Sequence, residues 1–223
     1  MKTVALIPIK LGSKRVPGKN IKPFFDGTPL MSFIQQACLN AGNIDEVYIY
    51  CSDEAVIPYL LPGVKFLKRP EYLDGDQINA NDFIREFMNT VDADIYVNAH
   101  TTSPFAKPET IAELVDKVAS GEYDSAFCAE ALRTFMWQEG KPINFDPDHF
   151  PRTQDLPLIY GETSIAYVFT KESFKKHNRR LGSHPFIKEV DKIEAMDIDY
   201  PEDFAIADAV YKEVIKKHEH TDN

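Results

Sequence analysis

Cysteine is scarce in this 223-residue sequence: Cys38, Cys51 and Cys128 are the three, each in an apolar segment and none at metal-ligand spacing. That argues against a disulfide framework and for reduced core thiols, which favours a cytoplasmic protein. The six histidines form no HExxH-type cluster, so a zinc site is not expected. No apolar run approaches the roughly 20 residues that a membrane helix needs, and Val4 to Ile9 is too short for a secretory leader. Basic residues are outnumbered, 25 Lys and Arg against 35 Asp and Glu, a net charge of −10. Only the N-terminal loop is basic, which disfavours a nucleic-acid partner. Neither GxxxxGK[ST] nor GxGxxG occurs, which leaves out a Walker A loop and a dinucleotide fingerprint. There is no repeat, no low-complexity linker and no evident Ser-His-Asp or Cys-His nucleophile.

What remains is an ordinary apolar content of 43% and a regular alternation of strand and helix patterns. Val4 to Ile9 reads as a strand buried on both faces. Strands are also expected at Val47–Cys51, Val64–Leu67, Asp94–Asn98, Tyr123–Ala131 and Ser164–Phe169. Helices are expected at Leu30–Ala41, with Gly42 as a stop signal, and at Asn81–Val91, Pro108–Ala119 and Asp203–Lys217. This predicts a single α/β domain over residues 1–223, with a mostly parallel sheet flanked by helices. Arg133 to Pro157, rich in Pro, Asp and Phe, breaks the rhythm as an irregular arm. Ligands of such sheets bind beyond the carboxyl ends of the strands.

Four segments at that edge carry candidate chemistry. Lys10-Leu-Gly-Ser-Lys-Arg-Val-Pro-Gly-Lys-Asn20 follows the first strand with four cations and two glycines. Lys10, Lys14, Arg15 and Lys19 can neutralise a polyphosphate, Gly12 permits close approach, and Ser13 can donate to phosphate oxygens; a solvated basic turn is the plainer alternative. Asp197 and Asp199, two apart, would share one face of a strand and meet one cation, unless they only form an acidic turn before the last helix. Asn98-Ala-His-Thr-Thr-Ser-Pro104 offers hydroxyls and a His that can gain charge near neutral pH, or serves as a helix cap. Arg152 is a candidate for bidentate carboxylate pairing, or an exposed structural residue.

Together these residues resemble the acylneuraminate cytidylyltransferases. Ile7-Pro-Ile-Lys-Leu-Gly-Ser-Lys-Arg-Val-Pro-Gly-Lys-Asn20 is similar to that family's IPARxGSKxxPxKN loop. Arg69-Pro70 with Leu73 and Asp76 resembles its RPxxLxxD segment, and Thr102-Ser-Pro104 its QPTSPL segment. Arg152-Thr-Gln-Asp-Leu-Pro157 resembles its RQxLP segment, and Asp197-Ile-Asp199 with Glu202-Asp-Phe204 its IDIDTxxDF ending. The resemblance implies a nucleotidyltransferase (Rossmann-like) fold, commonly a homodimer joined through the arm at 133–157. It implies CTP held by Lys10, Leu11, Gly12, Ser13, Lys14, Lys19, Asn20, Arg69 and Asp76. It implies Mg²⁺ on Asp197 and Asp199, which with Lys19 form the catalytic set. It implies an acidic sugar against His100, Thr102, Ser103, Arg152, Gln154, Thr163 and Tyr167. Lys10 stands for the family's Arg, His100-Thr101 for Gln-Pro, and Thr163-Ser164 for Asn-Gly. The nucleotide half therefore follows the family and the sugar half departs from it, which predicts an acceptor other than N-acetylneuraminate.

The expected reaction is in-line attack by an acidic sugar's hydroxyl on the α-phosphorus of CTP, with pyrophosphate leaving. A non-sugar acceptor such as a phosphonate or polyol phosphate, and a non-catalytic nucleotide-binding homologue, are the alternatives.

Overall fold

The computed structural model describes residues 1–13 and 15–217. Lys14, expected to contact nucleotide, lies outside the described residues.

A seven-stranded sheet organises the chain: β1 (Thr3–Ile9), β2 (Glu46–Cys51), β3 (Val64–Lys68), β4 (Ile95–Ala99), β5 (Ser125–Leu132), β8 (Ile159–Thr170) and β9 (Pro185–Val190). The spatial order is β3-β2-β1-β4-β8-β5-β9. All neighbours run parallel except β8, which is antiparallel to both β4 and β5. Two short strands, β6 (Trp137–Gln138) and β7 (Lys141–Pro142), pair separately in the arm.

Each face of the sheet buries its own apolar layer. Met31, Ile34 and Ala37 of α1 (Leu30–Asn40) and Ile111, Leu114 and Val115 of α3 (Pro108–Ala119) cover one face. Ile84 and Phe87 of α2 (Ala80–Thr90) and Phe174 of α4 (Lys171–His177) cover the other. Buried on both faces, β1 has to be apolar at nearly every position, and its run Thr3-Val-Ala-Leu-Ile is buried throughout. Asn79 and Asp82 start α2 with a reciprocal capping box. A third cluster, Phe24, Phe105, Ile198, Phe204 and Tyr211, seats α5 (Pro201–Val210) against the edge where the strands end.

The expected elements all form, with shifted ends. The strand expected at 164–169 is part of the longer β8, while α4 and β9 were not expected from the sequence. The last helix ends at Val210 and continues through a π-turn over Tyr211–Ile215. Asp197 and Asp199 do not lie in a strand. Their segment joins no ladder; the Ile198 N–H donates to Thr102 O at 2.9 Å and the Asp199 N–H to Asp203 at 2.9 Å.

The topology fixes where a ligand can enter. The chain leaves β1 toward β2 on one side and returns to β4 on the other, so the strand order reverses between β1 and β4. The pairing of β1 with β2 runs to Ile9–Cys51, but that of β1 with β4 ends at Leu6–Asn98. Beyond Leu6 the two strands part, and Pro8 sits where no ladder bond to β4 is needed. A crevice at such a switch point is the expected binding position in an open α/β sheet.

Candidate functional site

That crevice is a groove with two connecting lobes. One, of about 350 Å³, is lined by residues including Lys10, Gly12, Ser13, Arg15, Lys19, Asn20, His100, Thr101 and Thr102. The other, of about 390 Å³, is lined by residues including Arg69, Leu73, Asp74, Ile78 and Phe83. Pro8, Lys10, Asp76 and His100 belong to both. A larger cavity of about 800 Å³ beside Phe33, Phe105, Tyr211 and Ile215 shares no lining residue with the groove and is mainly apolar, so the chemistry directs attention to the smaller one.

The basic loop is braced from below. Gly18 takes a left-handed φ of 65° and turns the chain into a 3-10 turn at Lys19–Ile21. That turn buries Lys19 and Asn20. Lys19 Nζ donates to Ile198 O at 2.8 Å and stands 3.7 Å from Asp199 Oδ1. Burial lowers its pKa, opposed by the charges of Asp199 and Asp197. Arg15 reaches Asp199 Oδ1 at 2.8 Å. Asn20 does not point a free amide at the groove: its Nδ2 donates to Lys10 O at 3.1 Å and its Oδ1 accepts from Thr101 Oγ1 at 2.7 Å. Leu11 packs into the core rather than lining the groove.

The second lobe rests on Asp74, a residue that none of the motifs above specifies. Its carboxylate pairs with Arg69 and accepts from Ser52, and its carbonyl accepts from Lys10 Nζ. Arg69 also donates to Ile9 O at 2.9 Å, so this buried guanidinium ties the end of β1 to the loop after β3. Lys10 lies 3.9 Å from Asp76.

Against the basic loop stand the two aspartates. Ile198 is fully buried in the third apolar cluster, which leaves Asp197 and Asp199 half-buried on either side of it. Asp203 at the start of α5 accepts from the Asp199 and Tyr200 N–H groups at 2.9 and 2.7 Å and so fixes the Asp199 backbone. Burial raises the pKa of Asp197, the Asp199 charge adds to this, and hydrogen bonds from Thr102 and Ser164 and the Lys19 charge oppose it. Ser164 Oγ is 3.4 Å from Asp197 Oδ2, while Asp197 Oδ1 is buried without a protein partner.

The expected acceptor residues divide. His100 and Thr102 line the groove. Ser103 is buried with its hydroxyl unpartnered. His100 does not titrate near neutrality: burial, then the charges of Arg180 and Lys19, hold its pKa at about 3, so the ring is neutral. Although the residue as a whole is only half-buried, its Nε2 is sealed off and unpartnered. Tyr167 sits edge-on to His100, ring centroids 5.9 Å apart, and its hydroxyl donates to Glu162. Burial pushes its pKa up. Thr163 is turned away from the aspartates. A register shift between Phe127 and Ala129 interrupts the β5–β8 ladder, and Thr163 Oγ1 donates to the Cys128 carbonyl there, at 3.1 Å. Ser164, the next residue, is the one that meets Asp197. Arg152 and Gln154 are not brought to the groove: Arg152, 73% exposed, pairs with Asp155 at 2.7 Å on the arm, and Gln154 O accepts from Arg133.

A cationic loop at the switch point of an α/β sheet, with a carboxylate pair beside it, defines a domain of the nucleotidyltransferase kind. The chain belongs to the cytidylyltransferase family, whose model matches residues 4–218. It is 28% identical over 214 residues to N-acylneuraminate cytidylyltransferase A of Danio rerio, covering 92% of this chain and 49% of that protein, so it spans about half that relative's length. It is 26% identical over 226 residues to pseudaminic acid cytidylyltransferase of Campylobacter jejuni subsp. jejuni, covering 95% of this chain and 97% of that one. In fold it matches CMP:2-keto-3-deoxy-manno-octonic acid synthetase, solved with CTP, at a TM-score of 0.72 and 18% identity over 96% of this chain and 99% of that one. It also matches 4-diphosphocytidyl-2C-methyl-D-erythritol synthase of Anaerococcus prevotii, at 0.66 and 11% over 95% and 96%.

Proposed function

We propose that this chain is a Mg²⁺-dependent cytidylyltransferase that transfers CMP from CTP to an acidic sugar of the 3-deoxy-2-keto acid type and releases pyrophosphate. The observation that carries the reading is the juxtaposition at the β1–β4 switch point: Lys10, Arg15 and Lys19 line the groove, and Arg15 and Lys19 reach Asp199, two residues from Asp197. The relatives with named acceptors act, by their names, on acylneuraminate, pseudaminic acid and 2-keto-3-deoxy-manno-octonic acid, all of them acids. The altered residue His100, which lines the groove, favours an acceptor other than N-acetylneuraminate.

The residues present suit a phosphate-bridged cation. Among the described residues there is no cluster of three or more metal-ligating side chains, and Mg²⁺ needs only one or two carboxylates when substrate phosphates and water complete its shell. Asp197 Oδ1, buried and unpartnered, is a ready ligand, with Asp199 beside it. The bound ion would supply charge neutralisation and lower the pKa of an attacking hydroxyl. The chain's own residues position the reactants. Lys10, Lys19 and Arg15 neutralise the triphosphate and the departing pyrophosphate, and Thr102 and Ser164 orient Asp197. Among the described residues no helix is long and apolar enough to cross a membrane, and the three cysteines are buried and free; these suit a cytoplasmic enzyme. The aromatic arm suits a homodimer.

The test is pyrophosphate release with CTP, UTP, ATP and GTP against a panel of sugar acids, phosphonates and polyol phosphates, with and without a chelator. Release with CTP and a sugar acid, abolished by chelation and restored by Mg²⁺, is expected. No release with any acid overturns the reading, and release only with a phosphonate or polyol phosphate moves it to that acceptor class.

A further inference from the structure

Arg180 lies in the loop between α4 and β9. Its backbone N–H is pinned to Asn81 Oδ1 at 3.1 Å, near the start of α2. Its guanidinium lies over the Tyr167 ring, 3.4 Å from the centroid. The nearest carboxylate, Glu162, is 3.6 Å away and already accepts the Tyr167 hydroxyl. The side chain is only 23% exposed, and burial lowers its pKa, against the pull of Tyr167 and Glu162. A guanidinium has five donors. The Tyr167 ring and hydroxyl and the long contact to Glu162 leave part of that donor set without a protein partner.

The surroundings are unfinished in the same way. Asn98 pairs with Tyr167 in the β4–β8 register, so both project from one face of the sheet. Asn98 is fully buried, and both its amide oxygen and its amide nitrogen lack partners. His100, two residues on and on the same face, has an unpartnered Nε2 and lines the groove. A carboxamide, a neutral imidazole and a half-paired guanidinium thus gather around Tyr167, next to His100, which itself lines the groove. Buried polar groups without partners beside a cleft mark a place for a polar ligand. The one net charge among them calls for an anion. Arg152, the other candidate for this task, is exposed and engaged by Asp155.

We infer that Arg180 binds the carboxylate of the acceptor, with Tyr167 as the platform that holds the guanidinium and Asn98 and His100 as flanking polar contacts. The inference rests on the acceptor being an acid, as proposed above. Glu162 then acts as the resting partner that Arg180 leaves when the carboxylate arrives.

The test uses Arg180→Met, which keeps an unbranched stem over Tyr167, and Arg180→Lys, which keeps the charge without the fork. The acceptors are N-acetylneuraminate, pseudaminic acid and 2-keto-3-deoxy-manno-octonate, together with the methyl ester of whichever supports the fastest wild-type turnover. Loss of a charge-assisted bond predicts that Arg180→Met lowers kcat/KM for the acid by about ten- to a hundredfold, through the acceptor KM. The CTP KM stays within about twofold, and wild type and variant differ little on the ester. Arg180→Lys falls between them. Equal losses on acid and ester overturn the assignment in favour of a packing role for Arg180, and a rise in the CTP KM overturns it in favour of a phosphate contact. If the wild type binds CTP yet uses none of the acids, the acid acceptor itself is refuted, and the carboxylate role falls with it. The wild-type arm keeps that failure distinct from a failure of Arg180 alone.

Discussion

Thr101 Oγ1 donates to Asn20 Oδ1 at 2.7 Å in a buried bond that joins the basic loop to the end of β4. The other end of the same amide holds Lys10 O at 3.1 Å. Asn20 therefore sets the distance between the phosphate loop and the acceptor wall instead of reaching into the groove. Thr101→Val keeps the shape and removes the donor. Orphaning a buried acceptor costs about 1–3 kcal/mol, so urea denaturation should show a loss of that size. Thr101→Ser should restore most of it. The nucleotide KM should rise in Thr101→Val more than the acceptor KM; unchanged stability would mean the bond does not brace the loop.

The aspartates should separate activity from stability. Asp197 is held in a buried position that disfavours its charge, with Oδ1 unpartnered. Replacing it by Asn removes a buried charge, so Asp197→Asn should melt at the same temperature as wild type or higher, while turnover falls by at least about a hundredfold with the loss of a metal ligand. Asp199 instead pairs with Arg15 and Lys19, so Asp199→Asn should lose turnover and some stability together. Thermal melts alongside steady-state rates check both. Wild-type turnover in either variant would remove the carboxylate pair from the mechanism.

The sheet and the loop after β1 were legible because their signals are local: an apolar run ended by glycines and cations, and helices with three- and four-residue apolar spacing. The placement of Asp197 and Asp199 was legible for a partly different reason. They share a side because Ile198 is drawn into the α5 cluster, not because they form a strand. The acceptor side was poorly legible. Thr163 is diverted by a bulge between Phe127 and Ala129, and the partner strands of a bulge are set by pairing across the sheet, not by adjacent residues. Arg180 sits in a Ser- and Arg-containing turn that looks like solvent-facing loop, and only the fold lays it over Tyr167. Asp74 is likewise marked by its three partners and by nothing in its neighbours.

His100 gives a pH signature. The folded protein keeps it neutral down to about pH 3, whereas the unfolded chain takes up the proton near 6.5. Between these values the unfolded state binds more protons, so stability falls as pH drops through the window. His100→Gln has no such proton to gain. The melting temperature of the wild type should therefore decline more steeply than that of His100→Gln between pH 7 and pH 4, with carboxylate contributions common to both. Parallel curves would show that the imidazole is protonated in the folded state.

The arm provides the last prediction. Phe135, Phe145 and Phe150 meet with ring centroids 4.5 to 5.2 Å apart, and Trp137 joins at 5.4 Å from Phe145. The cluster is shaped by the arm itself: Asn144 accepts from the Met136 N–H at 2.9 Å and donates to Thr134 O at 2.8 Å, closing the β6–β7 hairpin without help from the sheet. Its outer side is uncovered, with Trp137 57%, Ile143 53% and Phe150 64% exposed. An apolar patch on a preformed hairpin is suited to a partner, and the partner expected is a second copy of this chain. Light scattering at micromolar concentration should give about twice the 25.4 kDa chain mass. Phe150→Glu puts a charge on the exposed rim of the cluster and should shift the mass to that of one chain with an unchanged circular dichroism spectrum. A monomer mass for the wild type would refute the dimer, and a dimer that survives both Phe150→Glu and Trp137→Glu would place its interface away from the arm.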